Sequence, residues 1–140
     1  MNYKQSDGFV LRDPRDAAEN ILRHYKILFP PINPFKLMSL VVRNSSFRIN
    51  TPVTYHDRFN CAVTLGCAVM PSNKCEEDYS VRFATNLLVP LFMLEPLVNS
   101  GWSASELQST FQVESTIVVS QLRTLYSFAI KNRLLISQGK

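Results

Sequence analysis

The sequence of 140 residues contains no run of about 18 apolar residues, the length that a membrane-spanning helix needs. Met1–Gly8 lacks the apolar centre of a secretory signal peptide, and we find no internal repeat or low-complexity tract. Cysteine is scarce, and Cys61, Cys67 and Cys75 follow no CxxC spacing and cannot all pair within one chain. These absences predict a cytoplasmic protein with no membrane segment and with reduced thiols in place of a disulfide framework.

The composition predicts one globular domain. Hydrophobic residues make up 46% of the chain and charged residues 19%, a balance that excludes a disordered or collagen-like protein. The formal net charge is +4, and residues 1–60 carry nine Lys/Arg against five Asp/Glu. A mild positive charge points weakly to an acidic partner surface, with nucleic acid as the alternative.

Helical signals dominate the first half of the chain, where one short segment favours strands. Asp13 can cap a helix over residues 14–26, and Asn33 can cap a second short helix after a proline-rich break. Residues 41–53 are rich in β-branched side chains and predict one or two short strands. The apolar segment 57–70 is compatible with a buried helix or a buried strand.

The second half of the chain predicts helices only. Segments 82–89 and 91–99 have helical apolar patterns that Pro90 separates. Ser103 and Glu106 form a capping-box sequence, and a longer helix is predicted to begin near Ser115.

The closing pair of helices has the spacing of a helix-turn-helix motif, with residues 115–125 in the recognition position. In that alternative the candidate DNA-binding residues are Gln121, Arg123, Lys131 and Arg133. Few side chains at the start of this helix can read base edges, so the pattern favours a helical hairpin packed into the core.

Four segments, in order, carry a resemblance that covers residues 14–128. They are 17–25 with 30–37, Ile49-Asn50 with Arg58-Phe59, 83–90, and 105–114 with 121–125. Together they resemble the ImmA/IrrE family of zinc metallopeptidases. The resemblance implies a single domain over residues 1–140, with an N-terminal arm at 1–13 and a basic tail at 129–140.

The zinc ligands of that family are missing here. The family places His-Glu-x-x-His after the Arg-Phe pair, where the two imidazoles hold zinc and the carboxylate polarises its water. When the four segments are aligned with the family pattern, Val63 and Cys67 occupy the two His positions and Thr64 occupies the Glu position. Tyr79 occupies the position of the third zinc ligand. No HExxH occurs in any register, so we expect neither catalysis nor a cofactor.

A metal site with other ligands, or a Cys–His nucleophilic pair, has weaker support in the sequence. A metal site could be rebuilt from the remaining possible ligands, which are Cys61, Cys67, Cys75, His56, Asp57 and Glu76. A nucleophilic pair of Cys67 with His56 has no supporting motif. The spacing favours neither arrangement.

The resemblance thus implies an α+β fold, mostly α, with a trimmed zincin-like helical core, a small residual β-sheet and the C-terminal helical hairpin. The implied function is that of a pseudo-peptidase from a prophage or mobile element, which binds a helix-turn-helix repressor or another regulatory protein as an antirepressor does. A small DNA-binding regulator and a residual metal-dependent hydrolase are the alternatives. Candidate partner-binding residues are Val42, Phe47, Val53, Phe92 and Trp102.

Overall fold

The computed structural model describes residues 13–42, 53–70 and 76–138, with side chains as far as residue 128. Its elements in chain order are α1 (Pro14–His24), α2 (Pro34–Val41), α3 (Tyr55–Val69), α4 (Glu77–Leu88), α5 (Leu91–Asn99), α6 (Ala104–Phe111) and α7 (Ser115–Gln138). The mainly helical fold is therefore confirmed. The predicted small β-sheet is not seen in the described ranges: Val41 ends α2, and residues 43–52, which hold most of the strand signal, lie outside them.

The first two helices begin where their capping residues predict. The side chain of Asp13 accepts a hydrogen bond from the Arg15 N–H at 2.8 Å, and Asn33 caps α2 in the same way. Helix α1 ends at His24, two residues before the predicted end. The cause is Lys26, whose φ of 57° is left-handed and cannot continue a right-handed helix.

The segment 57–70, whose sequence is compatible with either a helix or a strand, forms most of helix α3. Thr54 and Asp57 form a reciprocal capping box that fixes its start. The buried positions of α3 recur every three or four residues, as one face of a helix requires, and they are Arg58, Cys61, Ala62, Leu65, Gly66 and Val69. The alternation that a half-buried strand would show is absent from α3.

Helix α4 lies at the centre of the core. It packs against α1, α3 and α7, and the nine consecutive residues 83–91 are all buried. A close approach occurs at Gly66 of α3, where an added Cβ would lie 2.7 Å from Cδ1 of Phe83. Two neighbouring helices can come this close only because glycine has no side chain at the contact.

The last two helices are joined by a tight turn. Ser103 and Glu106 form the predicted capping box at the start of α6, and hydrogen bonds from Ser103 lower the pKa of Glu106. Gln112 ends α6 in the left-handed conformation, with φ 57° and ψ 53°. Helix α7 begins at Ser115 as predicted but extends to Gln138, so residues 129–138 continue the helix. In the part of the chain that the model describes, no single helix is long and apolar enough to cross a membrane.

Candidate functional site

The four positions that the resemblance assigns to the zinc site differ in burial and in the groups that they offer. Val63 and Tyr79 are half-buried and pack against the hydrophobic core, whereas Thr64 is exposed on α3 and its hydroxyl donates to the carbonyl of Asn60 at 2.9 Å. Cys67 is disulfide-bonded, which corrects the expectation that all three thiols are reduced.

The side chains at these positions do not fit zinc. Val63 offers no donor atom, Thr64 cannot replace a carboxylate base, and a disulfide sulfur is not a thiolate ligand. Within residues 13–42, 53–70 and 76–128, no three His, Cys, Asp or Glu side chains are placed to share a metal ion. No hydrolytic step through a metal follows from this arrangement.

The Cys61 thiol and the His56 imidazole lie in different environments. Cys61 is fully buried, and burial raises the pKa of its thiol to about 11. A thiol with that pKa is almost entirely protonated at neutral pH and is not a nucleophile. His56 is exposed at the start of α3, and its Nδ1 lies 3.7 Å from Oε1 of Glu114. The pair of Cys67 with His56 lacks a free thiol, because Cys67 is disulfide-bonded.

A buried arginine connects three separate segments of the chain. Arg58 is only 7% exposed, and its Nη2 donates to the carbonyl of Ile32 at 2.6 Å and to that of Phe111 at 3.2 Å. Its Nε donates to the carbonyl of Gln112 at 3.0 Å. Burial lowers the pKa of Arg58. We call these four residues the Arg58 junction, and they join the α1–α2 loop, the start of α3 and the α6–α7 turn.

The loop held by this junction carries the most exposed large apolar side chain in the described residues. Phe29 is 80% exposed and the adjacent Leu28 is 54% exposed. The loop backbone is fixed on both sides, because the Ile27 N–H donates to Leu22 at 2.8 Å and the Ile32 carbonyl accepts from Arg58. Our sequence-based site candidates did not include Phe29. The available signal was an aromatic residue beyond the end of the α1 apolar stripe, directly before two prolines.

The predicted partner-binding residues divide into two groups. Val53 is 43% exposed and Trp102 is 37% exposed, so both are accessible. Val42 and Phe92 are half-buried against the core, and the guanidinium of Arg23 covers the Phe92 ring at 5.3 Å. Phe47 lies outside the described residues.

Gln121, one of the candidate DNA-binding residues, is buried in the core. It is 2% exposed, and its Nε2 donates to Oδ1 of Asn86 at 3.0 Å and to the carbonyl of Val89 at 2.7 Å. These hydrogen bonds hold α7 against the end of α4, so the Gln121 side chain cannot contact DNA bases. Arg123 is exposed, and Lys131 and Arg133 belong to the part of α7 whose side chains are not described.

We expect Gln121→Ala to lower the free energy of unfolding by about 2–4 kcal/mol, because two buried acceptors lose their donor. Urea unfolding followed by far-UV circular dichroism measures this loss. Ser120→Ala is the matched control, since Ser120 directly precedes Gln121 in α7 and its side chain is exposed. A loss for Gln121→Ala no larger than that of the control would show that the amide does not hold α7.

Comparison with known proteins assigns no family to the chain. No protein-family model matches it, and searches of curated proteins and of solved structures found no significant match. The resemblance to ImmA/IrrE peptidases thus remains an inference from the four sequence segments.

Proposed function

We propose that this protein is a non-catalytic, protein-binding regulator that sequesters or modulates a helix-turn-helix repressor or another regulatory protein. Two observations support the proposal. The side chains at Val63, Thr64 and Tyr79 supply neither a zinc-ligand set nor a general base. The Phe29 loop presents an apolar surface suited to contact with another protein.

The exposed phenyl ring of Phe29 carries the proposal. Full burial of a phenylalanine side chain contributes about 1.5–3 kcal/mol. Aromatic anchors commonly supply a large share of interface energy. Because Ile27 and Ile32 already fix the loop backbone, binding would require little additional ordering. A rigid loop with an exposed aromatic side chain is thus well prepared to insert into a partner's pocket.

The start of α3 adds further apolar surface beside the same junction. Val53 is 43% exposed and Tyr55 is 37% exposed. Arg58 follows Tyr55 by one helical turn and binds the Ile32 carbonyl, so the start of α3 meets the end of the Phe29 loop. The binding surface would therefore be built from two segments that the Arg58 junction holds together.

We expect Phe29→Ala to weaken binding to the partner at least about tenfold, which corresponds to about 1.4 kcal/mol. The probe is a purified helix-turn-helix repressor encoded beside the gene of this protein, titrated by isothermal calorimetry. Tyr126→Ala is the matched control, because Tyr126 is an aromatic residue that is 67% exposed on α7. Both variants should keep the melting temperature of the parent protein.

Three results would count against this function. The first is that the unmodified protein binds no such repressor at micromolar concentration, and the second is that Phe29→Ala and Tyr126→Ala weaken binding equally. The third is stoichiometric zinc in the purified protein by elemental analysis, which would contradict its non-catalytic character.

A further inference from the structure

Helix α7 differs in charge from the three helices that directly precede it. Its 24 residues include Arg123, Lys131 and Arg133 and no Asp or Glu. In contrast, α4, α5 and α6 each carry more acidic than basic side chains. The positive charge of the helical part of the chain is thus concentrated on its last helix, which makes α7 the helix best suited to a polyanion.

The way in which α6 and α7 are joined gives α7 the position of a recognition helix. Eight residues of α6 are followed by left-handed Gln112, and α7 begins three residues later at Ser115. Val113 and Val118 are buried between the two helices and the core. The Arg58 guanidinium fixes the turn by binding its carbonyls. A short helix, a tight turn and a longer helix with a buried inner face are the helix-turn-helix arrangement.

On the outer face of α7, the Thr124 hydroxyl donates to the Ser120 carbonyl at 3.1 Å, whereas the other polar side chains have no partner within the described part of the protein. This face borders a surface cavity of about 510 Å³ lined by Ser115, Thr116, Val119, Ser120, Arg123 and Thr124. The side chains of Ser115, Thr116, Ser120 and Arg123 take part in no hydrogen bond or ion pair with the described residues. Arg123 is the one charged residue among these six described lining residues. The donors of Ser115, Thr116, Ser120 and Arg123 thus remain available to a ligand.

We propose that this outer face of α7 binds duplex DNA in the major groove. Arg123 can donate to a phosphate or to the O6 and N7 of guanine, and the three hydroxyls can donate to or accept from base edges. Val119 can contact a thymine methyl group. The helix-turn-helix arrangement favours DNA over an acidic protein as the ligand. This binding goes beyond the proposed protein contact and uses different residues.

The test is fluorescence anisotropy with a fluorescein-labelled duplex pool of random sequence. We expect binding at about 50 mM salt, and an affinity roughly 40-fold lower at about 200 mM if three phosphates are contacted. Arg123→Ala should weaken binding several-fold and reduce the salt slope by about one. Arg82→Ala is the matched control, because Arg82 is an exposed arginine on α4 and should change the affinity less than about twofold.

Three outcomes would overturn the proposal. They are no binding of the duplex pool at about 50 mM salt, equal loss in Arg82→Ala and Arg123→Ala, and equal competition by polyglutamate at the same charge concentration, which would identify an acidic protein surface as the ligand. Phe29→Ala should leave duplex binding unchanged, and Arg123→Ala should leave repressor binding unchanged. Failure of one proposal is thereby distinguishable from failure of the other.

Discussion

Replacement of Arg58 by alanine is expected to lower the free energy of unfolding by about 3–5 kcal/mol. The guanidinium donates to the carbonyls of Ile32, Phe111 and Gln112, and these acceptors lose their donor when it is removed. Each buried polar group without a partner costs about 1–3 kcal/mol. Since domains of this size are stable by only about 5–15 kcal/mol, this variant should be partly unfolded in mild denaturant.

Urea unfolding followed by far-UV circular dichroism measures the effect of Arg58→Ala, with Arg82→Ala as an exposed control. Arg58→Lys should recover only part of the stability, because an ammonium is a compact donor and lacks the broad planar fork that reaches carbonyls of different segments. If the free energy of unfolding of Arg58→Ala lies within about 1 kcal/mol of that of the parent protein, the Arg58 junction is not a major source of stability.

Gly66→Ala is expected to destabilise the protein by about 2–3 kcal/mol, although alanine favours helices over glycine by about 1 kcal/mol. The new Cβ would lie 2.7 Å from Cδ1, 2.9 Å from Cγ and 3.0 Å from Cβ of Phe83. Rotation of the ring cannot relieve the last contact, because the Phe83 Cβ is attached to the backbone. Helices α3 and α4 would have to move apart, which would disturb the packing of the central helix.

A double-mutant cycle identifies the source of this effect by thermal or urea unfolding. Phe83→Leu removes the aromatic ring, so Gly66→Ala should cost about 1–2 kcal/mol less in that background. Asn60→Ala serves as the control, because Asn60 occupies an exposed position of the same helix. Equal costs of Gly66→Ala in both backgrounds would exclude the contact with the aromatic ring of Phe83 as the main cause.

Capping sequences predicted where α1, α2 and α6 begin, whereas α4, which has no side-chain cap, begins at Glu77, five residues before the predicted start. Asp13, Asn33 and the Ser103–Glu106 pair each act on backbone groups within three residues, so the capping sequence and its result are adjacent in the chain. The sequence of α3 does not distinguish a helix from a strand, because its many apolar residues obscure the helical periodicity. The length of α7 was underestimated because its core-facing pattern weakens near Phe128, although no Gly or Pro interrupts the helix up to residue 138.

The site residues depend on contacts that local patterns do not encode. Arg58 meets Ile32 and Phe111, which are 26 and 53 positions away in the chain, so its sequence neighbours do not predict its burial. Phe29 is exposed only because of how the loop is anchored in three dimensions. Gln121 was more accessible to prediction, since it shares a helical face with Val118 and Leu125 and thus falls on the buried side of α7.

The three hydrogen-bond partners of Arg58 are all main-chain oxygens. Every amino acid supplies the same carbonyl, so substitutions at positions 32, 111 and 112 can accumulate without changing the groups that the guanidinium meets. Among homologous chains, Arg58 should therefore stay fixed while the residues it binds drift independently of it. Methods that infer contacts from correlated substitutions would miss the connections that hold these three segments together.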